Sequence, residues 1–139
     1  MTKYCAIKYQ KSRKQFPYLL LILFGFISCE KETQLDFFIE NQSLSTINIE
    51  GTNIISSTDI DQTINQKVQK NVATWSKRGK QTDYFEPTAI FGNNLIITNA
   101  TGDTLIKDYK LLSNWNASVD DQRTIASHEY VLVISDTDF

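Results

Sequence analysis

The sequence predicts a mainly β domain, an antiparallel β-sandwich, on three observations. Runs rich in β-branched and aromatic residues recur at roughly ten-residue spacing between positions 35 and 134. Clusters of Asn, Gly and Ser separate them and supply the positive φ and side-chain bonds that tight turns need. The last run, Glu129–Ile134, is nearly continuous Tyr, Val, Leu and Ile, as in a strand covered on both faces or central in its sheet.

Taken in order, Leu35–Ile39 is the first predicted strand and Asn41–Ser45 a turn. Thr46–Glu50 alternates apolar and polar residues and stops at Gly51, so the first two runs read as a hairpin. Asn53–Ser56 either extends the second strand or starts a third. Residues 59–79 admit two readings. Ile64, Val68, Val72 and Trp75 recur at helical spacing, which would give a single short helix around 62–78. Alternatively, Thr63–Gln66 and Val72–Trp75 are strands joined onward by a turn at Ser76–Lys80, the reading favoured by the β character on both sides. After Pro87 the pattern predicts strands at Ala89–Phe91, Leu95–Thr98 and Thr104–Tyr109, with turns at Gly92–Asn94 and Asn99–Asp103. Ser113–Arg123 reads as a polar loop carrying Trp115. Some six to eight strands of this length suit a sandwich, immunoglobulin-like or similar. Residues 35–139 form one predicted domain, without internal repeat or low-complexity segment.

The first 28 residues have a different character. Lys3, Lys8, Lys11, Arg13 and Lys14 come with no acid, followed by an apolar run from Phe16 or Pro17 to Ile27. That run is roughly a dozen residues, against the ~20 that cross a bilayer as a permanent helix, and fits an export signal. Phe26-Ile27-Ser28-Cys29 resembles a lipobox, with cleavage between Ser28 and Cys29 and acyl chains, palmitate among them, on Cys29. Phe26 departs from the aliphatic residue usual three places before the cysteine. The competing reading is a short buried helix ending in Cys. Residues 29–34 are predicted to be a polar tether. Within it Lys31-Glu32 resembles the Lys-acid signals that send Bacteroidota lipoproteins to the cell surface, with Thr33 where a second acid is common.

Removing residues 1–28 changes the charge. Five of the 14 basic residues go with them, leaving nine against all 16 acids, a net charge of −7. Such a domain disfavours nucleic acid, whose affinity comes from Lys and Arg neutralising phosphates. The two cysteines are Cys5 and Cys29, so no disulfide can staple the remaining domain.

The whole pattern resembles short Bacteroidota lipoproteins of unknown function. Its marks are Cys29, a strand ending in Asn41-Gln42-Ser43, the Ile47-Asn48-Ile49 strand, and Tyr130–Ile134 with a trailing Asp136 or Asp138. The resemblance implies a β-sandwich-like domain on the outer membrane, facing the periplasm or the cell surface. It implies no activity.

Several residues could carry chemistry. His128 is the only histidine, a candidate base or simply a polar residue opening the last strand. Asp59 with Asp61, Asp120 with Asp121, and Asp136 with Asp138 could hold calcium or lie solvated in loops; no metal site or cofactor is expected. Lys67, Lys70, Lys77, Arg78 and Lys80 could form one binding face with Trp115, or a solvated surface. Trp75, Tyr84, Phe85 and Trp115 could make an aromatic platform or pack in the core; of these Trp115 is expected to be exposed. Asp103-Thr104-Leu105 resembles the motif at which Bacteroidota attach O-glycans, which would modify Thr104. The expectation is a lipid-anchored, non-enzymatic envelope protein with a structural role or a protein or glycan partner. The alternatives are an inhibitor or immunity lipoprotein, and a glycan hydrolase using carboxylates alone.

Overall fold

A computed structural model describes residues 30–139. The leader, Ser28 and Cys29 lie outside the described residues. The chain forms β1 (Glu32–Asn41), β2 (Ile47–Asn53), β3 (Thr58–Ile64), β4 (Val68–Arg78), the one-turn helix α1 (Thr88–Phe91), β5 (Ile96–Asn99), β6 (Trp115–Asp121) and β7 (Ile125–Ile134). A four-stranded sheet in the order β4-β1-β7-β6 packs against a three-stranded sheet in the order β3-β2-β5. The fold is a β-sandwich. Its pairs are antiparallel except β1 with β7, which run parallel from Glu32↔Ile125 to Asn41↔Ile134.

Period-two alternation builds the core. Leu35, Phe37 and Ile39 of β1 point inward beside His128, Tyr130 and Leu132 of β7, while Gln34, Asp36, Phe38 and Glu40 face outward. Ile47, Ile49, Ile64 and Ile97 of the small sheet and Ile90 and Phe91 of α1 cover that inner face and are fully or almost fully buried. At the centre Phe37 stacks on Tyr130, with ring centroids 4.5 Å apart and planes 7° from parallel. Phe91 and Trp115 meet Phe37 edge-on at 5.2 and 5.5 Å and stack on each other at 6.1 Å.

Several elements differ from the sequence expectation. β1 and β2 are not a hairpin: they belong to different sheets, and the Asn41–Ser45 corner carries the chain between them. β1 also starts at Glu32, so Glu32–Gln34 are strand and not tether. Residues 62–78 hold no helix. They contain the end of β3 and the whole of β4, with the turn at Asn65–Lys67 and not at Ser76–Lys80. Ala89–Phe91 is helical because Pro87, at φ −57°, sets the first turn and Gly92, at φ 56°, ends it. Thr104–Tyr109 makes one bridge, Thr98↔Thr104, and no strand.

Gly51 does not stop β2. It lets the strand run close under the segment leading into β5. A Cβ there would sit 2.6 Å from the Asn94 carbonyl oxygen and 3.2 Å from the Leu95 Cα, both backbone atoms. Gly51→Ala is therefore expected to destabilise the domain by about 1–3 kcal/mol through overpacking. A denaturation midpoint equal to that of the parent protein would show that the two segments separate at little cost.

Candidate functional site

The three-stranded sheet covers only part of the inner face of its partner. The remainder, toward the start of β1, is crossed by residues 79–86, which form a strap. It leaves β4 at Gly79, whose φ of 89° lets the chain turn inward. Side chains from the sheet then fasten it. Thr33, fully buried on β1, donates its hydroxyl to the Gly79 carbonyl at 2.7 Å and accepts the Gln81 N–H at 2.9 Å. His128 on β7 meets the Gln81 carbonyl through Nε2 at 2.8 Å. The Phe85 N–H donates to the Tyr130 hydroxyl at 2.8 Å. On β6, the Gln122 carbonyl beyond the strand end accepts Lys80 Nζ at 2.6 Å, and Lys80 also pairs with Asp121. Tyr84 reaches the Ala117 carbonyl of the edge strand at 3.4 Å.

This geometry gives His128 a definite task. It is buried and its Nε2 faces an oxygen that can only accept, so that nitrogen carries the proton. Its Nδ1 lies 3.5 Å from the Tyr130 hydroxyl. Burial pushes the Tyr130 phenol above its ordinary value, partly offset by the Phe85 N–H. The pair holds the strap rather than opening onto solvent. Tyr130→Phe keeps the stacking but leaves the Phe85 N–H without its acceptor. The expected loss is about 1–2 kcal/mol, with faster hydrogen exchange at the Phe85 amide. Unchanged exchange there would mean that the strap does not depend on this bond.

The basic residues do not share one face. Lys67, at φ 58°, sits in the β3–β4 turn, and Lys70 pairs with Ile39 near the end of β1. Lys77 and Arg78 pair with Thr33 and Glu32 at its start. Seven residues of strand, ~23 Å, separate Lys70 from Lys77. All but Lys67 and Lys80 lie on β4, an edge strand, where lysines and arginines discourage pairing with a further strand. Lys77 also packs over the Phe85 ring at 4.7 Å and donates to Gln81. Arg78 meets Glu30 at 3.6 Å.

Trp115 is buried, contrary to the expectation that it lies exposed in a polar loop. It is 5% exposed, opens β6, and donates Nε1–H to the Tyr109 carbonyl at 2.7 Å, so it belongs to no binding face. The expected platform divides accordingly. Trp75 and Phe85 meet edge-on at 6.2 Å beneath Lys77, while Tyr84 packs against His128 and Tyr130 and stays half exposed.

The acids are also apart. Asp59 and Asp61 lie on β3, at the edge of one sheet, and Asp120 and Asp121 on β6, at the edge of the other. Among the described residues no three His, Cys, Asp or Glu side chains gather as a metal site would need. Asp136 accepts the Leu44 N–H at 2.9 Å, and Asp138 caps the final 3-10 turn through Ser135. Asp103 is fastened in its own loop: the Thr101 hydroxyl foremost, then the Asn99 amide, hold its carboxyl below the usual value. Thr104 beside it is exposed. Among the described residues no helix is long and apolar enough to cross a membrane. No protein-family model, curated protein or solved structure matches the chain.

Proposed function

We propose that the chain is an outer-membrane lipoprotein, cleaved between Ser28 and Cys29, whose β-sandwich serves a non-enzymatic structural or binding role toward a protein or glycan. The observation that carries the reading is the basic, apolar, Ser28-Cys29 order of the leader, set directly before an independent domain. β1 begins at Glu32, three residues after that cysteine, so the point of attachment and the start of the fold nearly coincide. Each buried methylene of an acyl chain contributes ~0.8 kcal/mol, and two or more chains would hold a domain of this size firmly. The sandwich offers a fastened strap and four edge strands, β4, β6, β3 and β5, as surfaces for a partner.

Metabolic labelling with a fatty-acid probe tests the anchor. Label is expected on the wild-type protein and absent from Cys29→Ala; unlabelled wild type, or label that survives the substitution, would sink the reading. Exposure of Thr104 suits the proposed O-glycan. That modification predicts a mass excess, beyond the lipid, that Thr104→Ala abolishes, and an intact mass without such excess removes it.

A further inference from the structure

We propose that the end of the sandwich where β1 begins seats on the phosphate-bearing headgroups of the bilayer, with Lys31, Arg78 and Arg123 as the contacts, and that the acidic remainder stands away from the membrane. The inference rests on the lipid-anchor reading and adds an orientation and a lipid-binding surface to it.

Three observations carry it. The first is distance. Cys29 immediately precedes Glu30, and β1 is paired from Glu32 onward, so the chain between lipid and sheet spans at most ~10 Å. A headgroup layer is itself ~5–7 Å thick, which leaves this end of the domain at most a few Å from the layer's surface. Even Lys31 is tied in, its carbonyl accepting the Gly79 N–H at 2.7 Å.

The second is charge placement. Lys31, Lys77, Arg78, Lys80 and Arg123 gather at this end through the β1–β4 register, the Lys80–Asp121 pair and the turn between β6 and β7, whose Thr124 carbonyl accepts the Glu32 N–H. Glu30, Glu32, Asp120 and Asp121 balance them. Five of the nine bases of the domain are thus used here against four of its 16 acids, and the rest of the body keeps four bases against twelve acids. An anionic surface repels that body and tolerates the balanced end, which turns the long axis upright.

The third is availability. The Arg78 side chain is 88% exposed and its partner Glu30 67%, at 3.6 Å. A pair so open to water is weak, so the guanidinium can exchange the carboxylate for a phosphate, which it grips with two N–H groups. Glu30, Lys31, Glu32, Ser76, Lys77 and Arg78 line a shallow polar recess of about 300 Å³ beside the attachment point.

The test uses the full-length protein, purified from membranes and reconstituted in vesicles of phosphatidylethanolamine and phosphatidylglycerol. A fluorophore is placed by Ser76→Cys near the anchor end, or by Leu44→Cys at the opposite end, and a quencher is carried on the lipid headgroup. In an acylated chain the Cys29 sulfur is a thioether and does not compete for label. The expected result is quenching severalfold stronger at position 76 than at 44. Arg78→Glu with Arg123→Glu should bring the two toward equality, while Lys67→Glu with Lys70→Glu should leave them as they were. Raising salt or omitting phosphatidylglycerol should mimic the first pair without any change to the protein. Equal quenching at both positions in acylated protein, or a ratio insensitive to both charge reversal and salt, overturns the orientation while sparing the anchor. A chain whose mass shows no lipid overturns both.

Discussion

Phe37→Ala is expected to cost the domain about 3–5 kcal/mol, the range for truncating a fully buried aromatic residue. The ring is wholly inaccessible and touches aromatic partners from three other elements: Tyr130 face to face, Phe91 and Trp115 by their edges. Those neighbours cannot all collapse into the gap. Tyr130 is held by the strap, Trp115 by its bond to the Tyr109 carbonyl, and Phe91 by a helix of one turn between Pro87 and Gly92. A cavity therefore remains, and its cost adds to the lost transfer free energy. Domains of this kind are stable by about 5–15 kcal/mol in total, so the variant should unfold at a much lower denaturant concentration, at an unchanged slope. Phe38→Ala is the internal control. It removes the same ring one residue away, from the outward face of the same strand, where Phe38 is only half-buried. The loss there should be clearly smaller. Equal losses at 37 and 38 would contradict the facing of β1 on which the sandwich rests.

That contrast shows which parts of the fold the sequence made legible. The β-rich composition of Leu35–Ile39 and the nearly unbroken run at 129–134 identified β1 and β7; of the two readings of the latter, the central one holds, since β7 lies between β1 and β6 while its outward residues Glu129, Val131 and Val133 stay exposed or half-buried. Alternation was present in β6 and was masked by composition. Trp115, Ala117 and Val119 face inward while Asn116, Ser118 and Asp120 face out, but the outward set is polar enough to resemble a loop. At Pro87–Gly92 the punctuation of a short helix outweighed the β-branched composition between. The β3–β4 turn was hidden for another reason: its left-handed position is filled by Lys67, whereas Gly79, the residue that resembled a turn signal, opens the strap. Pairing was not legible at all. Nothing local in β1 reveals a parallel neighbour nearly a hundred residues later, and the strap is fastened by Thr33, His128 and Tyr130 from two different strands. The basic run failed as a face because three of its charges are spread along the extended β4, with Lys67 in the turn before it and Lys80 in the strap after it.

Asn41→Asp is expected to lose about 3–5 kcal/mol at neutral pH, although it exchanges one NH₂ group for one oxygen. The side chain is completely buried at the corner where β1 leaves the four-stranded sheet. Its Nδ2 donates to the Ser45 carbonyl at 2.8 Å and the Ile64 carbonyl at 3.0 Å, while Oδ1 accepts the Ser43 N–H at 3.0 Å and the Ser43 hydroxyl at 2.7 Å. A carboxylate keeps the two bonds it accepts, but points its other oxygen at two carbonyls that now lack donors. Protonation restores one of them. The folded state should therefore hold its proton more tightly than the unfolded chain, raising the folded pKa of the introduced acid above the ordinary ~3.9. Between those two values the folded form binds more protons, so stability falls as pH rises and the full penalty is reached above the folded pKa. The loss relative to wild type should thus be smaller at pH 4 than at pH 7, as read from denaturant midpoints at both. A loss independent of pH would mean that water enters the corner and solvates the carboxylate. The effect is large because one side-chain amide joins three segments: the end of β1, the turn it enters and the end of β3. Hydrophobic burial holds the two sheets together without fixing direction; this corner supplies the direction, which is why a single buried hydrogen-bonding group there should matter as much as an aromatic ring in the core.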